Sequence, residues 1–147
     1  MADNANTVWS DAEDDCLSQL ATTTGSVVGQ NAFIGSDVSL SGKLNSFVFA
    51  IGGGEIQDQS YTSGSSSWHT KATLQGVYTT RDAAMAVGSK IQDATPFKSV
   101  SESVTWLFTT TYPAVKDGAW DEGDGKALRI VYKIEIIFDV VYHVVDV

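Results

Sequence analysis

Leu128-Arg129-Ile130-Val131-Tyr132-Lys133-Ile134-Glu135-Ile136-Ile137-Phe138-Asp139-Val140-Val141-Tyr142-His143-Val144-Val145 alternates at a period of two throughout. Leu128, Ile130, Tyr132, Ile134, Ile136, Phe138, Val140, Tyr142 and Val144 fall on one side, and every member of that set is apolar or aromatic. The other set begins mixed and charged, with Arg129, Lys133 and Glu135, and turns apolar towards Val145. Successive side chains of a strand point to opposite faces, so this spacing predicts one very long β-strand. Its length raises a geometric problem. Some twenty residues at about 3.3 Å each would exceed 60 Å, whereas a chain of this size folds to roughly 35–40 Å across. The strand must bend at a bulge, end early, or extend beyond its own domain. Left exposed, Val140 to Val147 would also invite aggregation. Burial against a neighbouring subunit resolves both problems, which makes an oligomer the expectation and Val140, Tyr142, Val144 and Val145 the interface candidates.

Working back from this strand, Pro113 to Lys126 reads as a loop holding Asp117, Gly118, Asp121, Glu122, Gly123, Asp124 and Gly125. Ser103 to Tyr112 alternates as a further strand, with Val104, Trp106 and Phe108 on one side. Before it, Ala84, Val87, Ile91 and Ala94 recur at helical spacing; Thr79 with Asp82 supplies a capping pattern and Thr95-Pro96 a stop. Trp68 to Tyr78 alternates again, and Gln57 to Ser67 reads as a mobile polar loop. Phe47 to Ile51 is a compact strand ended by Gly52-Gly53-Gly54, and residues 23–46 form a loop with room for one short strand. Near the N-terminus Ser10 and Glu13 make a capping-box pattern that opens a helix ending at Gly25, with Cys16, Leu17, Leu20 and Ala21 as its apolar face. The expected fold is α+β: a mostly antiparallel β-sheet with about two helices packed on it, in a single domain over 1–147.

Composition narrows the function classes. The 147 residues carry nine Lys and Arg against eighteen Asp and Glu, a net charge of −9. Hydrophobic residues make up 43%, enough for a real core, so general disorder is excluded. Lys and Arg that neutralise phosphates dominate nucleic-acid affinity, and no basic run exists here. Tight binding to nucleic acid or to an anionic membrane is not expected. The single Cys16 forbids an intramolecular disulfide, and neither a signal peptide nor a membrane-crossing run stands out.

No catalytic constellation emerges. His69 and His143 lie on different strands without Cys or acidic partners at ligand spacing, which reads as two ordinary surface histidines rather than a metal site. Cys16 sits on the apolar side of a helix, as a small core residue does. Gly52-Gly53-Gly54 lacks the Gly-Lys-Ser/Thr ending of a phosphate loop. The acidic loop offers oxygen ligands but not the spacing of a calcium-binding EF-hand loop. Trp120 has two readings, an anchor on a partner or a cover folded over the sheet edge. Trp68, Trp106 and the tyrosines suggest a sugar platform, but they fall at alternating strand positions, and core packing explains them without a ligand. No enzyme, cofactor or metal is expected.

One part of the order is more particular: an alternating strand at Trp68–Tyr78, a short helix at Arg81–Ala94, a Thr-rich strand at Val104–Tyr112, an acidic Gly loop and the final Val/Ile/Tyr strand. Over roughly residues 47–145 this resembles the tail terminator, or tail-completion, proteins of long-tailed bacteriophages and related gene transfer particles. The resemblance is one of size, element order and hydrophobic pattern, and it transfers no catalytic residues. It implies a structural virion protein, found in the tail or neck and assembled in the host cytoplasm. Six copies would form a homo-hexameric ring on the tail tube, stop its polymerisation and offer the head-joining surface. Its partners would be the tail-tube protein and head–tail connector proteins. DNA would pass the lumen unbound, which suits a negative lining. Asp117, Trp120, Asp121, Glu122 and Asp124 are the lumen or docking candidates. The alternatives are a tail-tube subunit, a head–tail connector, or a β-rich module binding a small ligand or glycan.

Overall fold

The computed structural model describes residues 5–35, 44–52, 58–62, 65–101, 104–110, 113–120 and 129–145. The fold is α+β. Helix α1 (Ala5–Thr24) precedes strands β1 (Ala32–Ile34), β2 (Ser46–Ile51), β3 (Asp58–Thr62) and β4 (Ser65–Tyr78). Helix α2 (Arg81–Ala94) follows, then β5 (Phe97–Ser101), β6 (Val104–Thr109), β7 (Pro113–Trp120) and β8 (Arg129–Val145).

The two long strands form the spine of the sheet. β4 and β8 pair antiparallel from Ser65↔Val145 to Tyr78↔Tyr132, and shorter strands flank both of their outer edges. β2 covers Ala72–Val77 of β4 and β3 covers Ser65–His69; β7 covers Arg129–Ile136 of β8 and β6 covers Asp139–Val144. β5 extends the sheet beyond β6, and β1 joins β2 as the one parallel pair among the described strands.

This arrangement corrects the expectation drawn from the length of the last strand. β8 has a backbone partner on both sides along almost its whole length, so neither of its edges calls for a neighbouring subunit, while Ile137 on its outward face is exposed. Val140 is only 1% exposed. Tyr142 stacks on Trp106 with ring centroids 4.3 Å apart. Val144 pairs with Ser66 and Val104, and Val145 with Ser65.

Two expected loops are strands for the same reason. Asp58–Thr62 forms a hairpin with the start of β4, and Pro113–Trp120 pairs with the first half of β8. Neither segment carries a strong alternating pattern; each is held by the ladder of a long neighbour. β5, which the pattern of the sequence did not suggest, pairs with β6 from Phe97↔Phe108 to Ser101↔Val104.

Both helices lie on the same face of the sheet. α1 buries Ala12, Cys16, Leu17, Leu20 and Ala21, an i, i+4, i+8 stripe, and α2 buries Ala84, Gly88 and Ile91. They cover Phe47, Phe49, Leu74, Ile136, Phe138, Phe108 and Trp106, all essentially buried. Complete burial of each such side chain contributes roughly 1.5–3 kcal/mol. Phe49 on β2 and Phe108 on β6 meet at 6.1 Å between ring centroids, edge to face. Their strands are three intervals apart, about 14 Å in a flat sheet at about 4.8 Å per interval. The sheet therefore curls around its core, and α1 lies between its edges.

The helix ends show how local chemistry yields to packing. α1 starts before Ser10, so the Ser10–Glu13 capping box does not form. Glu13 instead accepts the Ile51 backbone N–H at 2.8 Å. At the other end Gly25, with φ of 74°, lets Ser26 N–H reach the Ala21 carbonyl at 2.8 Å. The N-cap of α2 is Thr80, one residue later than the spacing of Thr79 and Asp82 predicts; its hydroxyl accepts from Ala83 N–H at 3.2 Å. Thr79 is engaged elsewhere, donating its N–H and hydroxyl to Asn45 Oδ1 at 3.1 and 3.2 Å.

Candidate functional site

The lumen candidates fall in two groups. Asp117 and Trp120 lie on β7, where Asp117 is opposite Tyr132 and Trp120 opposite Arg129, so a place in the sheet replaces the expected loop position. Asp121, Glu122 and Asp124 lie outside the described residues. Of the interface candidates, Val140 belongs to the core beneath the helices and is unavailable to a neighbour. Tyr142 is half-buried against Trp106, and burial pushes its hydroxyl pKa upward.

Cys16 and Trp106 lie in the core, where core packing was expected to place them. Cys16 is fully buried; desolvation, with a smaller contribution from the nearby Asp15 charge, pushes its thiol far above the ordinary range. Burial does the same to the Tyr78 hydroxyl. Trp106 is 1% exposed and stacks between Tyr142 and Phe108, at 4.3 and 6.4 Å, which makes it a core residue rather than a sugar platform. No cluster of three metal-ligating side chains occurs among the described residues. No helix among them is long and apolar enough to cross a membrane.

The surface that stands out is the face of the sheet turned away from the helices. It is built by the outward positions of five strands. Val48 and Ala50 come from β2, Thr73 and Gln75 from β4, Glu135, Ile137, Asp139 and Val141 from β8, Thr105 and Leu107 from β6, and Lys98 and Val100 from β5. Three large apolar side chains are open to solvent there: Val100 at 60%, Ile137 at 49% and Leu107 at 38%. Val48, Ala50, Thr73 and Gln75, with Gly35, bound a depression of about 290 Å³. Scattered exposed apolar residues are ordinary, but three on one sheet face beside half-buried Val141 form a surface suited to contact.

Charge on this face is mixed and ordered by register. Lys71 lies directly opposite Asp139, Gln75 Nε2 donates to Glu135 Oε2 at 3.1 Å, and Lys98 lies opposite Leu107. The two histidines also come together here: His143 is opposite Ser67 and Thr105, and His69 opposite Val141, placing them on adjacent strands one pair apart. The sequence assigned them to separate strands; the long β4–β8 ladder makes them neighbours. Ile137 and Leu107 were legible as the outward sets of their strands, whereas Val100 required β5.

No family model, no curated protein and no solved structure matches the chain.

Proposed function

We propose that this protein is a structural subunit of a bacteriophage tail: a tail terminator whose copies close into a ring, cap the tail tube and present a surface for head joining. The observation that carries the reading is the one-sided architecture. Two helices cover one face of an antiparallel sheet, and the other face is left open with Val100, Leu107 and Ile137 exposed. A subunit built to pack against copies of itself needs such a surface, and β4, α2, β6 and β8 follow in the order on which the family resemblance rests, with β5 and β7 as strands it did not include. The edges of the C-terminal strand are paired within the chain, so it contributes through its outward face, where Ile137 is exposed, and not through an unpaired edge. The net charge of −9 suits a lumen that lets DNA pass without adhesion.

Light scattering on the purified protein, with negative-stain images of the same peak, tests this directly. A discrete ring of about six subunits is expected. Long cylinders would assign the chain to the tube instead, and a monomer at every concentration would overturn the ring. A glycan-binding module is the poorer reading, since Trp106, one of its three tryptophans, is inside the core.

A further inference from the structure

We propose that the open sheet face is the docking site for the acidic outer stripe of helix α1 of a second copy, so that neighbouring subunits join head to tail. The inference rests on the ring reading and specifies which two surfaces meet in it.

The argument is charge complementarity between two surfaces on opposite sides of the molecule. On a chain of net charge −9 the open face is net positive among its described side chains. It carries exposed Lys71, Lys98 and Lys133 against Glu135 and Asp139, and both histidines lie on it. Glu135 is engaged by Gln75, and Asp139 lies opposite Lys71. In register, Lys98 on β5, Leu107 on β6, Val141 on β8 and His69 on β4 form one row across the sheet, with Lys71 two residues further along β4 and Val100 next to Lys98 on the same side of β5. The site is thus an apolar strip with Lys98 at one end and His69, beside Lys71, at the other.

The complementary surface is α1. Its twenty residues contain no Lys or Arg, and Asp11, Asp14 and Asp15 are exposed on the side away from the sheet. Further along the same stripe come Ser18 and Thr22, small exposed residues that let the helix backbone lie close over Leu107 and Val100. Face-to-face pairing would join two surfaces of net positive charge, while pairing face with helix sets a net positive surface against an acidic one. Because the two surfaces differ, the contact is heterologous: after one contact the first copy still has a free helix stripe and the second a free sheet face, and the chain of contacts ends only on closing into a ring.

Two charge-reversed proteins test this, with their folding checked by circular dichroism: Lys71→Glu/Lys98→Glu, and Asp11→Lys/Asp14→Lys/Asp15→Lys. Each alone should lose the assembly and run at the single-chain mass of 15.7 kDa. Mixed in equal amounts they should restore it, since each then offers the surface the other needs. Leu107→Ser/Val100→Ser, which truncates only exposed side chains, should also dissociate the ring and covers the case in which a charge reversal prevents folding. If the wild type forms rings and both reversed proteins still do so alone, the docking proposal is wrong and the ring stands. If only the lysine pair disrupts assembly, the face is used but α1 is not its partner, which also overturns the proposal. A wild type that stays monomeric removes the ring and this contact together.

Discussion

The carboxylate of Glu13 accepts the backbone N–H of Ile51 at 2.8 Å, across 38 residues of sequence. Ile51 ends β2, beyond the last β1–β2 pair at Ile34↔Phe49. Six residues further along the same helix, Gln19 Nε2 donates to the Lys98 carbonyl of β5 at 2.8 Å. β2 and β5 lie on opposite sides of the sheet, so α1 bridges its two flanks with side-chain hydrogen bonds to their backbones. Unpaired edges invite pairing with other chains, and here a helix partly occupies them.

Removing this bond should be measurable. Glu13→Ala removes this bond to the buried Ile51 and is expected to cost about 1.5–3 kcal/mol, as for hydrogen bonds to charged groups. Glu13→Gln keeps an acceptor and should cost less. Urea unfolding of the two variants gives the comparison; equal stability of wild type and Glu13→Ala would show that the bond contributes nothing.

Gly76 is required by close approach. A Cβ there would sit 2.7 Å from Tyr78 Cε2, 3.0 Å from Ile134 Cγ2 and 3.2 Å from Phe47 Cβ. The Tyr78 ring lies over the glycine, two residues away on the same face of β4. Gly76→Ala should destabilise by about 1–3 kcal/mol, the usual cost of overpacking. In a Tyr78→Ala background the added penalty should shrink, which a double-mutant cycle would detect.

Trp106 is a core residue, and Trp106→Ala should cost about 3–5 kcal/mol. Its stacking on Tyr142 also predicts a near-ultraviolet circular dichroism signal that Tyr142→Leu reduces without unfolding the chain. Saccharides should leave that signal unchanged; a saccharide-dependent change would point back to a binding module.

Cys16 and Tyr78 set the alkaline limb of stability. Both have pKa values raised by burial, so the folded state holds their protons where the unfolded state releases them. Stability is then full below the ordinary thiol range and falls as pH rises beyond about 8.5 for the thiol and about 10 for the phenol. Unfolding free energy should decline from pH 8 to 10, and Cys16→Ala should flatten the first part of the slope. Thiol reagents should react with Cys16 only at the rate of unfolding.

The parts of the fold legible in the sequence are those whose pattern is local. The alternation of β8, of most of β4 and of β6 is carried by their own residues, as is the apolar spacing of α2. What was not legible depends on pairing across the chain. Asp58–Thr62 and Pro113–Trp120 are polar, glycine-containing or proline-led, and become strands because β4 and β8 are long enough to hold them. The Ser10–Glu13 pattern misplaced the start of α1 because Glu13 serves a distant backbone donor instead of its own helix end. The length of β8 suggested a subunit interface, but no local pattern signals that β4 matches it residue for residue over Ser65–Tyr78. The candidate site suffered most, since a sheet face is assembled from strands far apart in the chain, and Leu107, Ile137 and Val100 meet only through the register.

The central claim is that copies of this chain close into a ring, and the mass of the purified protein in solution tests it most directly. Multi-angle light scattering across a concentration series should give one species of about six times 15.7 kDa, seen as rings in negative stain. A single species of 15.7 kDa at every concentration would contradict the account.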